Sequence, residues 1–385
     1  AAQTVTRRYL NAYVAHAPME PHAALAQVED GQATIWASTQ TPFRLQPQAA
    51  GALGLADEQV RVITPFVGGG FGGKSANGQA IEAARLSQLV GAPVQVAWSR
   101  EEEFFYDTFR PAAVVDIDAG VTPQGRIAFW DYVVMHAGER GSAQFYDIPH
   151  HRTGVSGSGW RGGEGTHPFA TGAWRAPANN TNTFARESHI DELAAAAGID
   201  PLEFRLANLA DERMLGVLRA AAERLAWQPG KGGPSGRGWG IALGIDAGTY
   251  VALMAEVAVD RESGAVQVKR VVCAQDMGLV INPEGARMQA EGCITMGLGY
   301  ALSEELLFSS GRLRNDSFAR YRLPRFSWVP EIDVVLLDKQ DEPAQGGGEP
   351  AIIAMGAVVA NAVHDAVGAR VLRLPMTPER VLAAL

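Results

Sequence analysis

One stretch of the chain, Gly68-Gly69-Gly70-Phe71-Gly72-Gly73-Lys74-Ser75, constrains its fold more than any other. It follows a β-branched run at residues 60–66 that predicts a strand, and it precedes an apolar-periodic run at 78–90 that predicts a helix stopped by Gly91. Glycine lacks a Cβ, so such a loop lets backbone N–H groups come close to an anionic oxygen. A strand, a loop and a helix therefore frame a candidate ligand cradle.

The same eight residues satisfy the phosphate-loop pattern G-x-x-x-x-G-K-S in full. Val335-Leu336-Leu337-Asp338 also has the form of an apolar strand ending in a magnesium-holding Asp. A P-loop NTPase is thus one alternative function. Against it stand the glycine density, the bulky Phe71 and a position deep in a β-rich chain rather than at the first strand of an alternating βαβα order. A purely structural turn is the other alternative.

With 385 residues the chain has room for two or three domains, and 47% apolar with 19% charged residues is ordinary globular usage. The net charge of -9 leaves no basic footprint for nucleic acid. No apolar run is expected to approach the roughly 18 residues that span a membrane. Cys273 and Cys293 are the only cysteines, too few for a disulfide framework or for an iron–sulfur cluster held by this chain alone.

The patterning predicts an α+β fold. Hairpins are expected at 24–28 with 33–37, at 113–118 with 127–135, and at 252–260 with 266–273, each around a polar turn. Helices are expected at 45–55, 186–197, 200–209 and 214–225, the third with Asp200 as cap and Pro201 at its first position. Residues 331–337 predict a strand, and 351–367 an almost wholly apolar helix that must be buried. The Gly, Lys, Pro and Ser of 228–238 make that segment the candidate linker.

Five short motifs, the glycine loop among them, occur in this order: Ala37-Ser38-Thr39-Gln40-Thr41-Pro42, the loop itself, Gly172-Ala173-Trp174-Arg175-Ala176-Pro177, then Asn282-Pro283 with Gln289, Glu291 and Gly292, and Gly347-Gly348-Glu349-Pro350. From about Ala15 to the C-terminus this series resembles the molybdopterin-binding large subunit of the xanthine dehydrogenase and aldehyde oxidase family, in the branch of the isoquinoline 1-oxidoreductase beta-subunit. The resemblance implies molybdenum-cofactor-binding domains of the xanthine oxidase large-subunit type, in two halves: 1–165 with Gln40 and the glycine loop, and 166–385 with the Arg175 and Glu349 loops. It implies a molybdenum hydroxylase subunit that hydroxylates an aldehyde or an N-heteroaromatic ring with oxygen from water.

Residue by residue, the resemblance places Gln40, Gly70, Phe71, Gly72, Arg175 and Gln289 around the molybdopterin, expected as its cytosine dinucleotide, with the molybdenum held by the pterin and by no protein side chain. Glu349 falls where the family has its catalytic base, and Ser75 and Trp174 are expected at the substrate pocket. Each residue also has a plainer role open to it. Gln40 can cap a strand end, Arg175 can tie a loop to carbonyl groups, Gln289 can be a polar helix-face residue, and Glu349 can cap a helix N-terminus. Lys74 is expected to be structural.

Two departures matter. Ser75 stands where the purine-oxidising branch has Glu, which disfavours xanthine. The family's Met-Gly-Gln-Gly loop is missing, and in the favoured branch it lies upstream of this region. The resemblance therefore implies two protein partners: a small subunit carrying 2Fe-2S clusters, and a chain supplying the N-terminal half of the large subunit.

Overall fold

In the computed structural model, which describes residues 1–162, 166–227 and 236–385, alternating apolar and polar residues build three main sheets. The first has five strands in the order His151–Ser156, Ile127–Met135, Ala113–Val121, Gln3–Asn11 and Arg373–Leu374. The second runs Val60–Ile63, Gln32–Ala37, Ala23–Glu29, Val94–Ala97. The third runs Arg237–Asp246, Thr249–Val259, Val266–Asp276, Glu331–Leu336. The three expected hairpins are present, whereas Gln3–Asn11 had no signal of its own because Arg7 and Arg8 interrupt its apolar positions.

Two helices fill the space between the first and third sheets. Asn179–Ala197 packs on Gln3–Asn11 and Ala113–Val121, and also on Met355–Val367, which lies against Arg237–Asp246 and Thr249–Val259. Ile352, Ile353, Val358, Val359 and Val363 are fully buried there, and burying each such side chain contributes about 1.5–3 kcal/mol. By length and composition Pro350–Val367 could cross a membrane, contrary to the expectation that no run approaches that length; here 89% of it is buried as core. Gly356, Asn361 and His364 break up the run in the sequence without lowering its average apolarity enough.

Helix ends follow local chemistry. The expected helix 45–55 is Pro42–Leu53: proline at the first position needs no N–H partner, and left-handed Gly54 ends it. The helix expected from 186 begins at Asn179, because Asn179, Asn182 and Thr183 bury their polar groups in hydrogen bonds rather than in a loop. Asp200 and Asp211 cap the next two helices through their carboxylates. The apolar helix 351–367 is in fact two, Pro350–Ile353 and Met355–Val367, broken at Ala354. The candidate linker falls on residues outside those described, except for its last three, 236–238, where the strand Arg237–Asp246 begins.

Parallel pairing explains how distant motifs meet. Gln32–Ala37 and Val60–Ile63 run side by side, with Trp36 opposite Ile63, so Gln40 and the glycine loop leave the second sheet at the same end. Val266–Asp276 and Glu331–Leu336 are also parallel, with Gln275 opposite Leu336. The segments leading to Gln289 and Glu349 therefore emerge together, and Leu279 N–H to Glu342 O at 3.1 Å and Gln345 N–H to Met277 O at 2.8 Å keep them together.

Candidate active site

Gln40, Phe71, Gly72, Ser75, Arg175, Gln289 and Glu349 line one cleft of about 450 Å³, together with Gly348. Gly70 lies just behind it, buried against the Gln40 side chain. Motifs far apart in the chain thus converge on one opening.

The glycine loop is fixed from below. Gly72 has a φ of 117° and donates its N–H to Gln40 Oε1 at 2.9 Å. A Cβ at Gly72 would run into the carbonyl oxygen of Ala173, so only glycine lets these two loops touch. That same carbonyl meets His16 Nε2 at 2.7 Å, while His16 Nδ1 meets Asp107 Oδ2 at 3.0 Å. Both ring nitrogens face oxygens that only accept, which calls for imidazolium. Burial alone would lower the His16 pKa, but Asp107 and the carbonyls of Ala173 and Thr108 outweigh it and raise it.

Lys74 is fully buried and its ammonium bonds Glu20 Oε2 at 2.6 Å, the oxygen that also accepts the Gly68 N–H at 2.7 Å. It is not among the residues that line the cleft. Residues Gly73–Ser75 form one 3-10 turn, and left-handed Asn77 separates it from the helix Gly78–Val90. A phosphate loop needs its lysine free and its helix opening directly on the loop. The P-loop alternative is therefore corrected. The structural expectation for Lys74 holds.

Arg175 donates Nη2–H to Gly348 O at 2.7 Å and to Gln289 Oε1 at 2.9 Å, and its backbone N–H bonds Phe71 O at 3.0 Å. It ties the loops to one another, the plainer of its two roles, and still lines the cleft. Trp174 does not. Expected at the substrate pocket, it is fully buried, donates its indole N–H to Ala15 O at 3.1 Å and sits edge-on to Tyr300 at 5.6 Å. Neighbouring side chains on an extended segment point opposite ways, and here Arg175 takes the cleft side.

Glu349 begins the helix Pro350–Ile353 but makes no side-chain cap bond. Instead Oε2 accepts from Arg140 Nη2 at 2.7 Å. Arg140 also forks onto buried Asp246, at 2.8 Å and 2.7 Å, and Asn179 donates to Asp246 at 2.6 Å. Burial pushes the Asp246 pKa up, against the pull of Arg140 and Asn179. Asn182 holds the Arg140 carbonyl at 2.9 Å and Arg186 holds Gly141 O at 2.6 Å. The Glu349 carboxylate is about a third exposed, and Oε1 has no hydrogen-bond partner among the described residues. That oxygen is free to take a proton.

Sequence reasoning missed Arg140 and the His16–Asp107 pair. Arg140 sits in Gly138-Glu139-Arg140-Gly141 with no apolar period or motif around it, and only the fold brings it to Glu349. No sequence spacing links residue 16 to 107 or to 173.

A family model described as molybdopterin cofactor-binding domain matches residues 1–209, and a second with the same description matches 185–330. The chain is 33% identical to a nicotinate dehydrogenase subunit of Pseudomonas putida over 100% of this chain and 35% of that one. It is 33% identical to the beta subunit of isoquinoline 1-oxidoreductase of Brevundimonas diminuta over 95% of this chain and 49% of that one. It thus spans about a third to a half of the length of these curated relatives. Among solved structures, quinoline 2-oxidoreductase from Pseudomonas putida 86 superposes over 100% of this chain and 76% of its own with a TM-score of 0.87 at 17% identity, which shows a shared fold. With its glycine loops converging on one cleft in this fold, the chain belongs to the molybdopterin cofactor-binding domain family.

Proposed function

We propose that this chain is the cofactor-binding portion of a molybdenum hydroxylase that oxidises an aldehyde or an N-heteroaromatic substrate with water-derived oxygen. One observation carries the proposal: a carboxylate with one oxygen unpartnered among the described residues, that of Glu349, shares a cleft of about 450 Å³ with the amide, guanidinium and glycine-backbone groups of Gln40, Arg175, Gln289 and Gly72. Among the described residues no three His, Cys, Asp or Glu side chains stand together as ligands for a bare metal ion. The donor set fits a metal that arrives on its own organic ligand, as molybdopterin does.

Bound molybdopterin supplies the metal that acidifies water and accepts two electrons. The chain does the rest. Gln40, Phe71, Gly72, Arg175 and Gln289 hold the cofactor, which the family resemblance gives as the cytosine dinucleotide. Glu349 Oε1 takes the proton, and Arg140 fixes the carboxylate through Oε2. Ser75 faces the substrate, and among the described residues lining the cleft Glu349 has no second carboxylate beside it to favour a purine.

The family resemblance gives iron–sulfur clusters on a small partner subunit as the way out for the electrons, and the two cysteines of this chain are too few to ligate a cluster. A further chain or segment supplies the counterpart of the Met-Gly-Gln-Gly loop. The test is Glu349→Gln in the assembled complex. Molybdenum content should stay at the wild-type level while turnover with a dye acceptor falls by a factor of roughly a thousand or more. Unchanged turnover would remove Glu349 as the base.

A further inference from the structure

The helix that follows Glu349 is broken at Ala354, five residues beyond it, and the break has a visible cause. In a continuous helix the Gly356 N–H would bond the carbonyl of Ile352, four residues back. Here the Tyr300 hydroxyl stands between them. It accepts from Gly356 N–H at 2.8 Å and donates to Ile352 O at 2.9 Å. A side chain inserted into the ladder is one of the few causes of a sharp helix break.

The insertion needs two close approaches. Tyr300 lies on the helix Pro283–Leu302, where a Cβ at Gly297 would come within 2.5 Å of Met355 Cγ. Opposite it, a Cβ at Gly356 would come within 3.1 Å of the Tyr300 ring. A glycine on each helix therefore lets the phenol reach the ladder. Behind it the ring meets Trp174 edge-on at 5.6 Å, and the Arg110 guanidinium lies 5.1 Å from the Tyr300 ring and 5.2 Å from that of Trp174. Burial raises the Tyr300 pKa, so the hydroxyl keeps the proton it donates to Ile352.

The same helix touches the cleft at two more places. Gln289 takes the Arg175 bond, and the Cys293 thiol lies 3.4 Å from Gly348 O, next to Glu349. Gln289, Cys293 and Tyr300 recur at helical spacing on one face, above the segment Gly348–Gly356. That face determines the path of the chain on both sides of Glu349.

We propose that Tyr300 is a positioning residue: its hydroxyl, inserted between Ile352 and Gly356, sets the helix break that aims Glu349 at the cleft and at Arg140. The proposal rests on Glu349 acting as the base. Removing the hydroxyl lets Gly356 N–H bond Ile352 O directly, which straightens the helix and moves the residue at its start. Tyr300 is fully buried and is not among the residues that line the cleft, so its effect falls on turnover and not on binding.

The test compares Tyr300→Phe with wild type in the assembled complex. A crystal structure of the variant should show one continuous helix over 350–367 with the Arg140–Glu349 bond lost. kcat should fall about tenfold, with KM within about twofold and molybdenum content unchanged. A break that persists at Ala354 overturns the proposal whatever the turnover, and so does a straightened helix with wild-type kcat. Should the Phe variant not assemble, Gly297→Ala drives the helices apart at Met355 and is held to the same two criteria. Glu349→Gln separates the two ideas: wild-type turnover there defeats the base assignment and leaves the structural effect of Tyr300 standing.

Discussion

The two glycine-rich loops that meet at the cleft are anchored in different ways. The loop Gly68–Ser75 is anchored through the fully buried Lys74, whose ammonium bonds Glu20, and through Gly72, whose N–H bonds Gln40 and which packs against the Ala173 carbonyl that His16 holds. The loop Gly346–Glu349 is anchored by shared guanidinium groups, Arg175 on Gly348 O and Arg140 on Glu349, and its carboxylate stays partly in solvent. Glu20 and Glu349 are about equally exposed, so what separates the two loops is the cation and the open oxygen: Lys74 is fully buried whereas Arg140 is about a third exposed, and Glu349 Oε1 has no partner among the described residues. The first loop lends the cleft its backbone wall, and the second brings the carboxylate that the proposed function uses as the base.

The first loop should be the more fragile of the two. Gly72→Ala forces a Cβ into the Ala173 carbonyl at a φ that favours glycine, with an expected loss of about 3 kcal/mol or more of stability and of molybdenum content. Denaturation of the complex and metal analysis check it; a variant of wild-type stability would show that the two loops do not touch.

A smaller, pH-dependent effect belongs to His16. Its folded pKa is raised, so its stabilisation is complete below the unfolded value of about 6.5 and is lost as pH rises through the folded one. His16→Gln should cost about 2 kcal/mol near pH 6, and the Tm difference from wild type should shrink toward pH 9. A difference that is flat or widens with pH would mean that the ring is neutral in the folded protein.

Much of this was legible in the sequence, for a physical reason. Strand and helix periods, Asp200 and Pro201 at a helix start, and motifs of fixed order all act over a few residues, and so the three hairpins, the motif residues Gln40, Phe71, Gly72, Arg175, Gln289 and Glu349 that line the cleft, and the molybdopterin-binding family could be read directly. What escaped depends on side chains meeting across the fold. Trp174 faces inward because Arg175 faces out, Arg140 reaches Glu349 across 209 positions, and a tyrosine hydroxyl divides a helix that its own composition predicts to be continuous. The full match to a phosphate-loop pattern misled for the same reason: the pattern cannot show that Lys74 is buried and already paired with Glu20.

The most direct measurement of the central claim is metal and nucleotide analysis of the purified, assembled complex, with its absorption spectrum. The expected result is molybdenum near one atom per chain, iron–sulfur absorbance from a partner subunit, and no bound ATP or ADP. Bound adenine nucleotide in a complex free of molybdenum would contradict it.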